Sequence, residues 1–237
     1  MIKRIPLLLT AFLFTACISQ KDKILFIPDP SQNVQQEQPG LSKSWEILES
    51  QNGSGDEGFP AWVRSYYDEG AGKIETLDSW RDKYVFIGKN RGDNFQILRQ
   101  WTDNFTVEQD LPRLIVQRVE RRLVAAATLY PDDEYGEYFA LMIKRVSDEE
   151  YPDAVKEDVF WTKQRRIPDE NENADTEEPP EDVVIEHYEY LILISIDRMV
   201  FQTQIQNIMA DIKTPTSPTR DQTAAINNIR LVFFEGF

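Results

Sequence analysis

The chain has 237 residues, with 26 Lys and Arg against 41 Asp and Glu, one His and one Cys, and a formal net charge of −15. That length suits one domain of moderate size with tails, and its acidity argues against binding nucleic-acid phosphates or docking on anionic headgroups through charge. A single cysteine excludes an intrachain disulfide and a metal site built on thiolates.

In chain order, the first feature is a short positive stretch, Lys3 and Arg4. An apolar run from Ile5 to Phe14 follows, too short to span a bilayer, then the small residues Thr15 and Ala16, then Cys17. This is the layout of a secretory signal peptide over residues 1–16. The cysteine at the cleavage point resembles a bacterial lipobox, with Phe14 in place of the usual Leu. Such a cysteine is acylated with chains such as palmitate, each buried methylene adding about 0.8 kcal/mol of membrane affinity. Ile18 follows where an inner-membrane retention signal has Asp, so the expectation is a lipid anchor at Cys17 in the outer membrane. Processing removes Lys3 and Arg4 and leaves 24 basic side chains against 41 acidic ones, a net charge of −17.

Residues 17–58 read as a flexible tether. "PDPSQNVQQEQPG" is polar and rich in Pro and Gln, and "QNGSGDEG" is rich in Gly. Between them "SWEILE" is expected to be a short helical or strand-like docking piece. The globular part is expected over 59–213, opening at "FPAWV". "DKYVFIGKN" predicts a strand ended by Gly88. Asp93 and Gln96 have capping-box spacing for a helix carrying Phe95, Leu98, Trp101 and Phe105 on one face. Pro112 is expected to break or restart this segment. Leu111, Ile115, Val119, Leu123 and Ala126 then form a second stripe, and "YFALMIKRV" a third, short helix.

"VKEDVFWTKQRR" and "DVVIEHYEYLILISID" predict two strands. In the second, His187 and Glu189 are expected on a solvated side, whereas Leu191 to Ile194 are apolar on both sides and therefore central. The acidic stretch 167–182 between them is expected to be a long hairpin connection, disordered at its tip. Phe201, Ile205, Ile208, Met209 and Ile212 mark an amphipathic helix. The tail 214–237, with "NNIRLVFFEGF", is expected to add an edge strand.

Lined up, "PAWV" (Pro60–Val63), "YVFIG" (Tyr84–Gly88), "FW" (Phe160, Trp161) and "YEYLILISID" (Tyr188–Asp197) resemble the LPP-twenty lipoprotein family over residues 59–213. These are small envelope lipoproteins with a compact α/β domain, and a related domain occurs in a flagellar assembly protein of the outer-membrane ring. The chain departs from that family by large residues in the helix after the strand, where alanines are usual, and by its acidic insertion. The resemblance implies an envelope-associated structural or interaction role, and no reaction.

The side chains that carry chemistry are sparse. His187 stands alone, which leaves no Ser–His–Asp, Cys–His or two-histidine zinc arrangement. Carboxylate pairs are numerous enough to arise by chance, and none sits in a recognisable apolar pocket. "DENENAD" (Asp169–Asp175) opens like a calcium loop, but Ala174 replaces the required Gly and Pro180 the bidentate Glu. "RGD" (Arg91–Asp93) falls at a strand-to-helix turn, where Gly and a capping Asp have structural reasons.

The expectation is therefore an α+β (or α/β) fold: a small, mainly antiparallel sheet with long helices packed on one face, on a lipidated N-terminal tether. The function expected is non-enzymatic, with no catalytic residue, no metal site and no cofactor. The partners are the membrane, through the lipid at Cys17, and an envelope protein or a second copy of the chain. Phe233, Phe234 and Phe237 are candidate partner contacts, set against ordinary packing of the tail. The alternatives are a ligand-binding lipoprotein (small molecule, sugar or divalent ion) and a surface adhesin. The periplasmic or surface face is left open.

Overall fold

The structure, a computed structural model, describes residues 45–127, 136–167, 185–212 and 219–234. Five strands form one antiparallel sheet: β1 (Trp45–Ser50), β2 (Gly53–Ser54), β3 (Lys83–Gly92), β4 (Val155–Arg166) and β5 (Glu186–Asp197), in the order β2-β1-β4-β5-β3. The α+β reading holds. β5 is central, pairing along its whole length with β3 and with β4, and its residues from Tyr190 to Ile196 are all buried. That is why it reads as a continuous apolar run rather than an alternating one.

The long helices cover one face. These are α4 (Val107–Ala127), α5 (Gly136–Asp148), α6 (Arg198–Asp211) and α7 (Arg220–Val232). Their stripes (Leu111, Ile115, Val119 and Leu123; Phe201 and Ile205; Ile226 and Ile229) meet Tyr84 and Phe86 of β3 and Ile192, Ile194 and Ile196 of β5. Each such side chain contributes about 1.5–3 kcal/mol relative to exposure. α6 starts at Asp197, whose carboxylate accepts from the Met199 and Val200 N–H groups, and α7 at a Thr219–Gln222 capping box.

The other face carries two short helices, α1 (Ala61–Glu69) and α2 (Ala71–Ile74), joined at Gly70 with φ 84°. Phe59, Trp62, Val63, Tyr67 and Ile74 pack there against Val85, Phe160, Leu191 and Leu193. α3 (Phe95–Asn104) closes the end of the sheet on the long-helix side, where Phe95 makes edge contacts with Trp161 and Tyr188.

Several expectations are corrected. Of the two forms expected for "SWEILE", the strand is the one found: Trp45–Ser50 is β1, paired with β4 from Trp45↔Arg166 to Ser50↔Thr162, so the folded part begins before residue 59. The tail is not an edge strand. Residues 220–232 are helix, with Ala225, Ile226, Ile229 and Phe233 buried, because their spacing puts them on one helical side facing α4 and α6. Gly88 does not end β3, which runs four residues further. A Cβ at Gly88 would come within 2.9 Å of the Phe105 ring, so glycine is there for close approach. Pro112 does not divide the helices. The break falls at Phe105–Thr106, and Pro112 sits inside α4, in its second turn. Asn94 rather than Asp93 caps α3, its Oδ1 accepting from the Gln96 and Ile97 N–H groups at 3.0 and 3.1 Å.

Both edges of the sheet are guarded. On β3, Glu75 Oε1 accepts from the outward N–H of Val85 at 2.8 Å, Arg118 Nη1 donates to the Val85 carbonyl at 3.2 Å, and Arg198 Nη2 donates to the Lys83 carbonyl at 3.1 Å. Glu75 also pairs with Arg118 at 2.6 Å, which ties α2 on one face to α4 on the other around the strand. At the opposite edge β2 is two residues long. Beyond it no described strand covers β4 from Val155 to Phe160. That stretch carries a bulge at Glu157 and the charges of Lys156, Glu157 and Asp158. Short edge strands, bulges and charges all oppose pairing with another chain.

Candidate functional site

β5 alternates, so His187 and Glu189 share a side with Leu191 and Leu193, and that side is covered by α1 and, over His187, by the Trp45 side chain. Cross-strand partners bring Thr162 and Gln164 of β4 opposite Glu189 and His187, and Arg91 of β3 opposite Glu189. Tyr67 reaches in from α1 and Trp45 from β1. The solvated side expected for His187 and Glu189 is therefore corrected: both are buried.

Glu189 is the hub. Its side chain is 2% exposed, against 42% for that of Arg91. Arg91 Nε and Nη2 donate to Oε2 at 3.1 and 2.7 Å. The Tyr67 hydroxyl donates to Oε1 at 2.8 Å, and Gln164 Nε2 donates to the same oxygen at 3.3 Å. Gln164 Nε2 also donates to Thr162 Oγ1 at 2.9 Å. Burial, reinforced by the charge of Glu189, raises the Tyr67 phenol far above its ordinary value, so it remains a protonated donor. The carboxylate is thus engaged on both oxygens, an arrangement that holds a shape rather than one awaiting a proton.

His187 is the exception in this cluster. It is 6% exposed, and its ring lies 4.2 Å from that of Trp45 at 78°. Its Nε2 is buried with no hydrogen-bond partner among the described residues. Burial first, then the charge of Arg91, push its pKa down to about 4, and Glu189 opposes them only in part. The Arg91 guanidinium in turn lies 5.5 Å over the Trp45 ring.

Of the residues singled out in the sequence, Cys17, Phe237 and the calcium-like run Asp169–Asp175 lie outside the described residues. Phe233 is not available as a partner contact. It is fully buried in the long-helix core, and its carbonyl accepts from Arg122 Nε at 3.2 Å. Phe234, half-buried, stacks edge-on to Phe233 at 5.0 Å and lines a groove with Gln206, Met209, Ala210 and Arg230. Arg91 of the RGD triplet is committed to Glu189. Among the described residues no trio of His, Cys, Asp or Glu is placed to hold a metal ion, and no helix is long and apolar enough to cross a membrane.

The chain matches no family model, no curated protein and no solved structure. Sequence reasoning missed Tyr67, Thr162, Gln164, Arg91 and Trp45 as one cluster, and Glu75, Arg118 and Arg198 as another. The first carried a usable signal: Glu189 and His187 continue the Leu193–Leu191 side of β5. The second had none, because its members are distant in sequence.

Proposed function

We propose that this chain is an envelope lipoprotein, anchored in the outer membrane through acylated Cys17, with a non-enzymatic structural or protein-interaction role. The observation that carries the reading is the sequence itself: a positive stretch, a short apolar run and small residues placed directly before the sole cysteine. The fold is compatible with an interaction role. Its most deeply buried acid, Glu189, is engaged by Arg91, Tyr67 and Gln164 rather than held free for proton transfer. The guarded edges of β3 and β4 favour a partner that meets helix surfaces over one that adds a strand. The resemblance to the LPP-twenty family points the same way.

The test compares the native chain with a Cys17→Ala variant expressed in a bacterium with an outer membrane. Mass spectrometry is expected to find a processed, acylated Cys17, and the variant is expected to leave the membrane fraction with its circular dichroism unchanged. A start at Met1, a bare thiol, or equal sedimentation of both forms sinks the anchor. For the interaction role, cross-linking in intact envelopes is expected to trap a discrete adduct with an envelope protein or a second copy. Monomer alone counts against it.

A further inference from the structure

A buried polar atom without a partner is rare in folded proteins and calls for a reason. His187 Nε2 is such an atom, and its position gives it a consequence. The ring it belongs to supports Trp45, the first residue of β1. β1 is the least embedded of the longer strands. It pairs with β4 at five positions, broken by an irregularity between Ile47 and Glu49, and on its outer side with the two residues of β2 alone. Trp45, against His187, and Ile47, against the α1-side core, are both half-buried.

A neutral imidazole tolerates this site, because an unprotonated nitrogen only forgoes an acceptor's bond. Protonation puts an N–H on the buried Nε2 as well, and that donor needs an acceptor. From β3 the charge facing it is Arg91, which is repulsive. From β5 it is Glu189, whose two oxygens already take bonds from Arg91, Tyr67 and Gln164. From β4 it faces Gln164, whose amide nitrogen donates to Thr162, Tyr67 and Glu189, and from β1 the Trp45 indole, over whose ring the Arg91 guanidinium already lies. The ion pairs of Glu186 with Lys163 and Arg165 project from the opposite face of the sheet.

We propose that the Trp45–His187 contact is an acid-released latch: protonation of the buried, unpartnered His187 imidazole beneath Trp45 and beside Arg91 frees β1 and uncovers the β4 edge from Thr162 to Arg166. The direction comes from proton linkage. With the latch closed the imidazole takes its proton near pH 4, and with it open near the ordinary 6.5. Between these values the open form holds more protons, so acid favours it. Above 6.5 both forms are neutral and the balance is flat, and below 4 both are charged and it is flat again. The full span is worth about 300-fold in the ratio of open to closed. The latch needs no lipid, so it stands or falls apart from the anchor.

The test uses the full untagged chain in detergent. Because His187 is the only histidine, its imidazole signal in a proton spectrum is assigned at sight. It is expected to titrate at least one unit below the ordinary value, and a midpoint at or above 6.5 overturns the latch. Hydrogen exchange, corrected for the intrinsic rate at each pH, is expected to show opening of residues 45–50 rising on the order of 50–100-fold from pH 7.5 to 4.5. Amides of β3 and β5 are expected to change little. In His187→Phe and in His187→Gln the rise is expected to vanish. An unchanged β1, a rise that persists in a folded variant, or β1, β3 and β5 opening together each overturns it.

Discussion

On the face covered by α4 to α7, burial is apolar, with aliphatic and aromatic stripes meeting Tyr84, Phe86, Ile192, Ile194 and Ile196. On the face covered by α1 and α2, an apolar half around Phe160 gives way to a buried polar half of Thr162, Gln164, His187 and Glu189. The first face gains from area removed from water and tolerates any side chains that fill it. The second depends on each donor finding its acceptor, so it is sensitive to single atoms and to pH. That difference explains why the molecule has a conventional core on one side and the unpartnered His187 nitrogen on the other.

Substitutions can break or sharpen the contrast. The largest effect is expected on the apolar face. Phe201, fully buried between Tyr84, Phe86 and Tyr151, should lose about 3–5 kcal/mol on change to Ala, read by urea unfolding. A loss under about 1 kcal/mol would mean that α6 is not seated as described. Next comes the polar face. Arg91→Met leaves the Glu189 carboxylate buried without its cation and is expected to cost about 3 kcal/mol. Adding Glu189→Gln should restore at least about 1 kcal/mol of this, since the amide removes the lone buried charge and keeps an oxygen for Tyr67 and Gln164. If the double variant proves less stable than the single, the network is not held by that pair. The smallest effect concerns a helix start at the margin between the two. Asn94→Ala should cost about 1 kcal/mol and Asp93→Ala under about 0.5 kcal/mol. The reverse order would return the cap of α3 to Asp93.

By itself the sequence determined those features that periodicity dictates. The stripes of α4 and α6, the extent of β4 and the central place of β5 are written in spacings of three, four or two, because an element's own geometry decides which of its residues share a side. The N-terminal anchor reading likewise needs only local order. Out of its reach was which side of a strand another element would cover. His187 and Glu189 look like a solvated pair until α1 and the Trp45 side chain close over them, and "SWEILE" reads as helix or strand alike until β4 supplies its partner across more than a hundred residues. The C-terminal segment has β-prone residues yet folds as α7, because α4 and α6 offer its Ile226, Ile229 and Phe233 a place to be buried. Burial and hydrogen-bond partnership belong to pairs of elements distant in the chain, so the tertiary structure alone decided that Nε2 of the lone histidine is buried, has no partner among the described residues and belongs to a ring seated beneath Trp45.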